Sequence, residues 1–174
     1  MPFGIRRLLA PFGRPWAALL HAFLRLPRLG RRGQIAAFRE AMADPRIPLG
    51  KRGELAAAEM LVRKGWVLLA HGEADRQGEI DLIACRRNPA LLAFVEVKTL
   101  ATRKPGHPAD QVDQAKQRRV YRAALRYLKR HRLLGHPCRF DVIAVWWPVK
   151  SERSPERIEH LEAAFEAPES WQFY

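Results

Sequence analysis

Apolar and polar residues repeat with two different periods along the second part of the chain, and the changes of period predict its secondary structure. A Leu-, Ala- and Met-rich run over residues 55–64 predicts a helix that Gly65 ends. Short apolar runs bounded by turn residues predict strands. The strands cover residues 66–71, 79–86, 91–99 and 139–147, a final short strand covers residues 157–165, and a long helix covers residues 109–131. This order predicts an α/β fold, a mixed β-sheet flanked by helices.

Residues 1–48 follow a different pattern. Their apolar positions form two sets with the i, i+3, i+4, i+7 spacing of an amphipathic helix. The sets are Ile5, Leu8, Leu9 and Phe12, then Trp16, Leu19, Leu20 and Phe23. The apolar run over residues 16–24 is too short to cross a bilayer. We predict a basic amphipathic extension over residues 1–48 and a domain over residues 49–174. The extension either packs on that domain or is unstructured, or it contacts a membrane surface, nucleic acid or another protein.

Composition adds a strong positive charge. The formal net charge is +13 and the pI is about 10.8. This excess favours a polyanionic partner such as nucleic acid, although an Arg-rich proteome produces the same excess. The cysteines, Cys85 and Cys138, are interpreted as reduced thiols in the core, because their surroundings lack zinc-site spacing and nothing requires a disulfide. A cytoplasmic location follows from that interpretation.

Charged residues interrupt two of the apolar strands. Because strand side chains alternate between faces, Glu96 and Lys98 share one face of their strand. The same alternation puts Asp81 on one face of the preceding strand and Ile80 and Leu82 on the other. Central strands rarely bury acids, so this arrangement needs a chemical reason.

Two interpretations supply that reason. Packed carboxylates resist ionisation unless a cation offsets them, and Mg²⁺ or Mn²⁺ prefers oxygen ligands. Asp81, Glu96 and the backbone carbonyl of Val97 would hold such an ion. Lys98 would position the attacking water and offset charge that develops on a phosphate. The alternative is a buried ion pair between Lys98 and one of the two acids, which would hold the hairpin together.

Residues on the predicted helices and on a later strand extend the candidate set. Glu54 shares the inward stripe of the first helix, where it either faces the sheet or stabilises the helix N-terminus. Lys116 lies on the apolar stripe of the long helix, where it either reaches the site or extends to solvent. Asp141 shares a strand face with Ile143 and is interpreted as a structural acid.

The motifs around these residues resemble the PD-(D/E)XK nuclease superfamily. They resemble most closely the YraN-like group of predicted endonucleases, which is related to archaeal Holliday-junction resolvases. The matching segments are GELAA at residues 53–57, GEIDLIA at 78–84, FVEVKT at 94–99, ALRYL at 124–128, RFDV at 139–142 and AF at 164–165. They cover about residues 49–166, so the resemblance says nothing about the extension.

The resemblance implies a restriction-endonuclease-like core with a catalytic site at the candidate residues. It assigns catalytic positions to Glu54, Asp81, Glu96, Lys98 and Lys116, and metal-ligand positions to Asp81, Glu96, the Val97 carbonyl and Glu54, with Mg²⁺ or Mn²⁺ as the cofactor. The chain departs from the group before GEIDLIA, where residues 71–76 lack the usual Asn-Arg-type stretch. It departs again after FVEVKT, where Leu100 replaces an arginine.

The expected function is metal-dependent hydrolysis of phosphodiester bonds in DNA, including branched or recombining structures. Phosphates would approach a basic surface made by Arg86, Arg87, Arg103, Lys104, Lys116, Arg118 and Arg119. A homodimer would suit a symmetric junction. The alternative is a non-catalytic module, for nucleic-acid binding or partner docking, on a nuclease-like fold.

Overall fold

The structure is a computed structural model that describes residues 30–75, 78–86, 88–101, 113–150 and 152–167. Its elements, in chain order, are α1 (Arg31–Met42), α2 (Leu49–Arg63), β1 (Val67–Asp75), β2 (Gly78–Arg86), β3 (Leu91–Leu100), α3 (Gln114–His131), β4 (Cys138–Trp146) and β5 (Arg157–Phe165). Within the described ranges, no helix combines the length and apolar character needed to span a membrane. The two predicted N-terminal segments, Arg87, Arg103 and Lys104 lie outside the described residues.

The five strands form one sheet in the order β1-β2-β3-β4-β5. Neighbouring strands are antiparallel except β3 and β4, which are parallel. A parallel pair needs a long crossover, and α3 lies in the connection between these two strands. The predicted mixed sheet with flanking helices is therefore confirmed.

Two apolar layers cover the two faces of the sheet. On one face, α1 and α2 pack against a layer that includes Leu82, Val95 and Ile143. On the other face, α3 packs against a layer that includes Phe94 and Phe140. The aromatic rings of these two residues stack with centroids 5.6 Å apart. The sheet is thus buried on both sides, which explains why β3 and β4 read as nearly continuous apolar runs.

Helix α1 lies within the segment predicted as the N-terminal extension, and it packs on α2. Phe38 and Met42 are each 4% exposed and belong to the same core layer as α2. Arg52, also buried, joins this layer to the β4–β5 connection. Its guanidinium donates to the carbonyls of Met42 and Lys150, both at 2.6 Å. Of the alternatives for the extension, packing on the domain therefore applies to residues 31–42.

Strand β2 does not keep the regular alternation that its sequence predicts. Leu82 packs in the layer under α2, whereas Ile80 packs in the layer under α3. The prediction that these two residues share a face is therefore wrong. The reason is that β2 pairs with β3 only as far as Leu82, opposite Val95, so the pleat is no longer fixed by β3 beyond that point.

Both cysteines are free thiols, so no disulfide joins them. Cys85 is partly buried against the α3 layer. The prediction of a core thiol is wrong for Cys138, which is exposed because it is the first residue of β4.

Candidate functional site

The candidate site lies where β2 and β3 separate. The last paired residues are Leu82 and Val95, and the next residue of β2 is Asp81. The Asp81 carboxylate accepts a hydrogen bond from the backbone N–H of Val97 through Oδ2, at 2.7 Å. A side chain thus satisfies a backbone donor that the strand ladder leaves unpaired. This bond holds Asp81 against the part of β3 that carries Glu96.

Glu96 is held by lysines from two elements. Its side chain is 3% exposed, and Lys98 Nζ lies 3.1 Å from its Oε1. Lys116 Nζ, from α3, lies 3.0 Å from its Oε2. Of the two interpretations of Lys116, the structure shows the one in which its ammonium group reaches the site. Two positive charges therefore flank a buried acid that would otherwise be costly to ionise.

Glu54 enters the site because α2 approaches β3 very closely at Gly53. A Cβ atom at Gly53 would overlap Thr99 Oγ1 and would lie 3.0 Å from Thr99 Cβ. Glycine is thus required for the helix to come this near the strand. The next residue, Glu54, is 7% exposed, in agreement with its predicted inward stripe.

Glu54 has two basic neighbours that the sequence did not identify as site residues. Lys51 Nζ lies 2.6 Å from Oε1, and His71 Nε2, from β1, lies 2.8 Å from Oε2. Burial alone would raise the pKa of Glu54, but the hydrogen bond and charge of His71, with those of Lys51, outweigh it and lower the pKa. A histidine inside an apolar strand was the available signal for His71.

Asp81 differs from Glu54 because it lacks a dedicated cation. Burial, followed by the charges of Glu96 and Glu54, raises the pKa of Asp81 from 3.8 to about 7. The hydrogen bond from Val97 and the charge of Lys116 lower it only in part. Functional sites commonly contain a carboxyl group whose pKa is this strongly perturbed, and Asp81 lies beside two other buried acids.

Three buried polar atoms at this place have short contacts but no well-aligned hydrogen bond. They are Glu54 Oε2, His71 Nε2 and Glu96 Oε2. Glu54 Oε2 lies 2.8 Å from His71 Nε2, and Glu96 Oε2 lies 3.0 Å from Lys116 Nζ. Incompletely bonded buried atoms are rare in proteins. A divalent cation, which prefers oxygen ligands, would replace these contacts of the carboxylates.

The donor set fits a magnesium-type ion that keeps an open coordination sphere. Within the described ranges, no three His, Cys, Asp or Glu side chains converge closely enough to enclose a metal by themselves. Magnesium, however, needs only one or two carboxylates, with water and substrate phosphate completing its shell. Asp81 and Glu96 would hold the ion, and the Val97 carbonyl and Glu54 remain candidates from the sequence prediction.

Asp141 forms a separate cluster with complete hydrogen bonding. It is fully buried, and Ala163 N–H donates to Oδ1 at 2.9 Å. Arg139 contacts both of its oxygens, and His160 Nε2 lies 2.7 Å from Oδ2. Every oxygen is occupied, which agrees with the interpretation of Asp141 as a structural acid that anchors β5 to β4.

The basic residues predicted to meet phosphates differ in accessibility. Arg118 and Arg119 are exposed on α3. Arg86 is half-buried, and its guanidinium lies over the ring of Trp66, 5.1 Å from the centroid. The exposed arginines are therefore better placed than Arg86 to meet a large polyanion.

Comparison with known proteins identifies the family. A model described as "Uncharacterised protein family UPF0102" matches residues 53–145, more than half of the chain. The chain belongs to this family. The matched segment contains every candidate side chain, from Glu54 to Lys116, and the predicted YraN-like resemblance is confirmed.

Relatives in the same family match over most of this chain. A UPF0102 protein of Rhodopirellula baltica is 58% identical over 137 residues, which are 79% of this chain and 81% of the relative. A UPF0102 protein of Myxococcus xanthus is 41% identical over 74% of this chain and 98% of its own length. A UPF0102 protein of Chlorobaculum tepidum is 43% identical over 67% of this chain and 91% of its own length.

Proposed function

We propose that this UPF0102 protein is a metal-dependent nuclease that hydrolyses phosphodiester bonds of DNA. The observation that carries the proposal is the meeting of three buried acids and two lysines at the separation of β2 and β3. Asp81, in particular, has a pKa near 7 and only one hydrogen-bond donor among the described residues. A structural acid would not need this surplus of buried charge with incomplete partners.

A divalent cation would be held by Asp81 and Glu96, with Mg²⁺ or Mn²⁺ as the candidates. When bound, such an ion activates water and polarises a phosphoryl oxygen. Its charge would also favour the ionised form of Asp81, whose pKa burial and the neighbouring acids raise.

The two lysines at Glu96 serve the phosphate in this proposal. Lys98 Nζ and Lys116 Nζ each have three donors; Lys98 donates one to Glu96 Oε1, and Lys116 lies 3.0 Å from Glu96 Oε2. The remaining donors can bind the oxygens of a phosphodiester and offset the negative charge that develops there. Glu54, held by Lys51 and His71, has a lowered pKa and stays ionised, so it can orient the attacking water.

The choice of DNA as the substrate rests on charge. A net charge of +13 and exposed arginines on α3 favour a polyanion. Branched or recombining DNA, and a homodimer for symmetric junctions, are the finer parts of this proposal. The cytoplasmic location inferred from cysteine usage also stays a prediction.

The test is cleavage of linear, single-stranded and four-way DNA with Mg²⁺ or Mn²⁺. Asp81→Asn and Glu96→Gln keep the side-chain shape and remove the charge. We expect each to lower the cleavage rate at least about a hundredfold, because several kcal/mol of charge stabilisation are lost. Glu162→Gln, an exposed acid in the separate Asp141 cluster, is the matched control and should cleave normally. Equal rates for wild type and Asp81→Asn on every substrate would overturn the proposal.

One observation favours a second candidate, a non-catalytic DNA-binding module. Both oxygens of Glu96 already contact lysines, so this acid is neutralised without any metal. Such a module binds DNA in a salt-dependent way, unaffected by chelator, and cuts nothing. Glu96→Gln would then leave DNA affinity and the insensitivity to chelator unchanged.

A further inference from the structure

Helix α3 carries an unusual set of charges. Its sequence from Gln114 to His131 contains seven lysines and arginines and neither aspartate nor glutamate. The seven basic residues are Lys116, Arg118, Arg119, Arg122, Arg126, Lys129 and Arg130. Surface helices commonly alternate the two signs of charge, which stabilises them by pairing. This helix has no internal acidic partner for any of its cations.

Three of these cations lie on the side of α3 that faces away from the sheet. The buried side of the helix consists of Val120, Tyr121, Ala123, Ala124, Tyr127 and Leu128. Arg118, Arg119 and Arg122 lie on the exposed side. Within the part of the chain that the structure describes, no carboxylate pairs with Arg119 or Arg122, and Arg118 has only a 3.5 Å contact with Gln114. These three arginines form the basic face of α3.

The basic face begins at the candidate site. Lys116, two residues before Arg118, contacts Glu96. At the other end of the helix, Arg130 forms an ion pair with Glu73 of β1 at 2.6 Å. The basic face, from Arg118 to Arg122, spans about 6 Å along the helix at 1.5 Å per residue. It is therefore a short cationic surface that begins within one turn of Lys116 at the site.

This arrangement lowers the stability of the isolated helix. Arg118 and Arg122 are like charges at i, i+4 spacing, and so are Arg122 and Arg126, which destabilises a helix by a few tenths of a kcal/mol per pair. Arg118 and Arg119 also lie near the N-terminus, where the helix dipole disfavours cations. An anion along this face would remove both penalties.

We infer that the basic face of α3 binds the phosphate backbone of DNA and leads that strand to the site. Only the second half of this statement rests on the proposed function, because DNA binding by the face needs no catalysis. Arginine suits the role, since its planar guanidinium binds phosphate oxygens in pairs. A surface that contacts only the phosphate backbone binds DNA without reading its sequence.

An anionic membrane is the less favoured partner for this face. Helices that lie on membranes bury large apolar residues beside their cations. The exposed large apolar residues of the described chain are Val67, Leu69, Leu134 and Val149, and none of them belongs to α3. The apolar side of α3 is covered by the sheet and cannot insert into lipid.

The test measures DNA affinity as a function of salt, in chelator and in a Glu96→Gln background, so that cleavage does not interfere. The probe is a duplex of about 20 base pairs, much longer than the roughly two pairs that the face spans. Arg118→Gln/Arg122→Gln removes two exposed cations. We expect affinity about tenfold or more weaker at low salt, and a log–log salt slope smaller by about two.

The matched control is Arg32→Gln/Arg153→Gln. It removes the same charge from two exposed arginines, on α1 and in the β4–β5 connection. It should leave the salt slope unchanged. Thermal unfolding of each variant verifies the fold, and anionic phosphatidylserine vesicles provide the lipid arm.

The outcomes separate this inference from the proposed function. The inference is overturned if the salt slope of DNA binding is unchanged in the α3 variant, or if the control variant loses as much DNA affinity. It is also overturned if the α3 variant loses vesicle binding but keeps its DNA binding. A selective loss of DNA binding supports it, even when the wild-type protein cleaves no DNA and the proposed function fails. If the protein cleaves DNA but the α3 variant keeps an unchanged salt slope of DNA binding, the proposed function is supported and the inference about the basic face is rejected.

Discussion

Asp81 and Asp141 are both buried acids on the two strands that flank β3, but their surroundings differ. Asp141 is fully buried, and each of its oxygens has partners from Arg139, His160 or Ala163. Asp81 has a single donor, the N–H of Val97, and two acidic neighbours that raise its pKa. The first acid completes a hydrogen-bond network, whereas the second keeps capacity for something that the chain itself does not supply.

Burial alone therefore does not identify a functional acid. Sequence alternation marks both residues as acids in apolar strands, and only their partners separate them. A satisfied buried acid contributes to the stability of the fold. An unsatisfied one lowers that stability, so its presence needs a chemical role. Substitutions at the two positions should therefore have opposite effects on stability.

The largest expected effect is at Asp141. Asp141→Ala removes the buried acceptor shared by Arg139, His160 and the Ala163 N–H, and we expect a loss of about 3–5 kcal/mol in the free energy of unfolding. Urea denaturation measures it. Glu162→Gln is the control, because Glu162 pairs with the same arginine but is 48% exposed, so its loss should stay below about 1 kcal/mol. A loss that small at Asp141 would contradict the comparison.

The second effect is at Asp81 and has the opposite sign. Its pKa is raised from 3.8 to about 7, so the folded protein favours the protonated carboxyl, and this group lowers stability as pH rises through that window. Asp81→Asn removes the dependence. In chelator at about pH 8, the variant should be more stable than wild type, by at most on the order of 4 kcal/mol. Below about pH 4 the two should be alike.

Unfolding curves of wild type and Asp81→Asn between about pH 4 and pH 8 measure this difference in stability. A variant that is less stable than wild type at high pH would show that the ionised Asp81 carboxylate stabilises the fold. Asp81 would then resemble Asp141, and the comparison would lose its basis.

A smaller effect is expected where α2 meets β3. In Gly53→Ala, the added methyl group would overlap Thr99, so the start of α2 must shift. We expect a loss of about 1–3 kcal/mol, typical of overpacking, together with slower cleavage because Glu54 moves. Gly50→Ala, in the same helix with no atom within 4 Å of its added methyl group, should be neutral or stabilising. Equal behaviour of the two variants would argue against a positioning role for Gly53.

The smallest effect is at His71. His71→Gln removes the imidazole beside Glu54, and the loss of its interaction raises the pKa of that acid. We expect cleavage about tenfold slower, as for other residues that orient a site without touching the substrate. Comparing the pH profile of cleavage with that of wild type would detect the change in Glu54. An unchanged profile and rate would assign His71 to packing alone.

The sequence predicts the secondary structure well where the periodicity is local. The predicted strand at residues 157–165 matches β5, and the strands at 79–86 and 91–99 match β2 and β3 within one residue. Alternation along β3 also put Lys98 on the face of Glu96, and the stripe of α3 included Lys116. These relations depend only on residues that are near each other in the chain.

What the sequence could not predict depends on how strands pair. Asp81 turns toward Val97 because the β2–β3 ladder ends at Leu82, and no local pattern shows where a ladder ends. His71 meets Glu54 because an irregularity between Leu68 and Ala70 sets the register of β1. Such contacts follow from tertiary structure.

The most direct test of a metal site at Asp81 and Glu96 is a crystal structure with Mn²⁺, in which anomalous scattering locates the ion. We expect one peak at the separation of β2 and β3, bound by carboxylate oxygens of Asp81 and Glu96, with Asp141 metal-free. With Mg²⁺ in place of Mn²⁺, the oxygens should lie about 2.0–2.1 Å from the ion. If no peak forms there and Glu96 keeps both lysine contacts at saturating metal, Asp81 and Glu96 do not form a metal site.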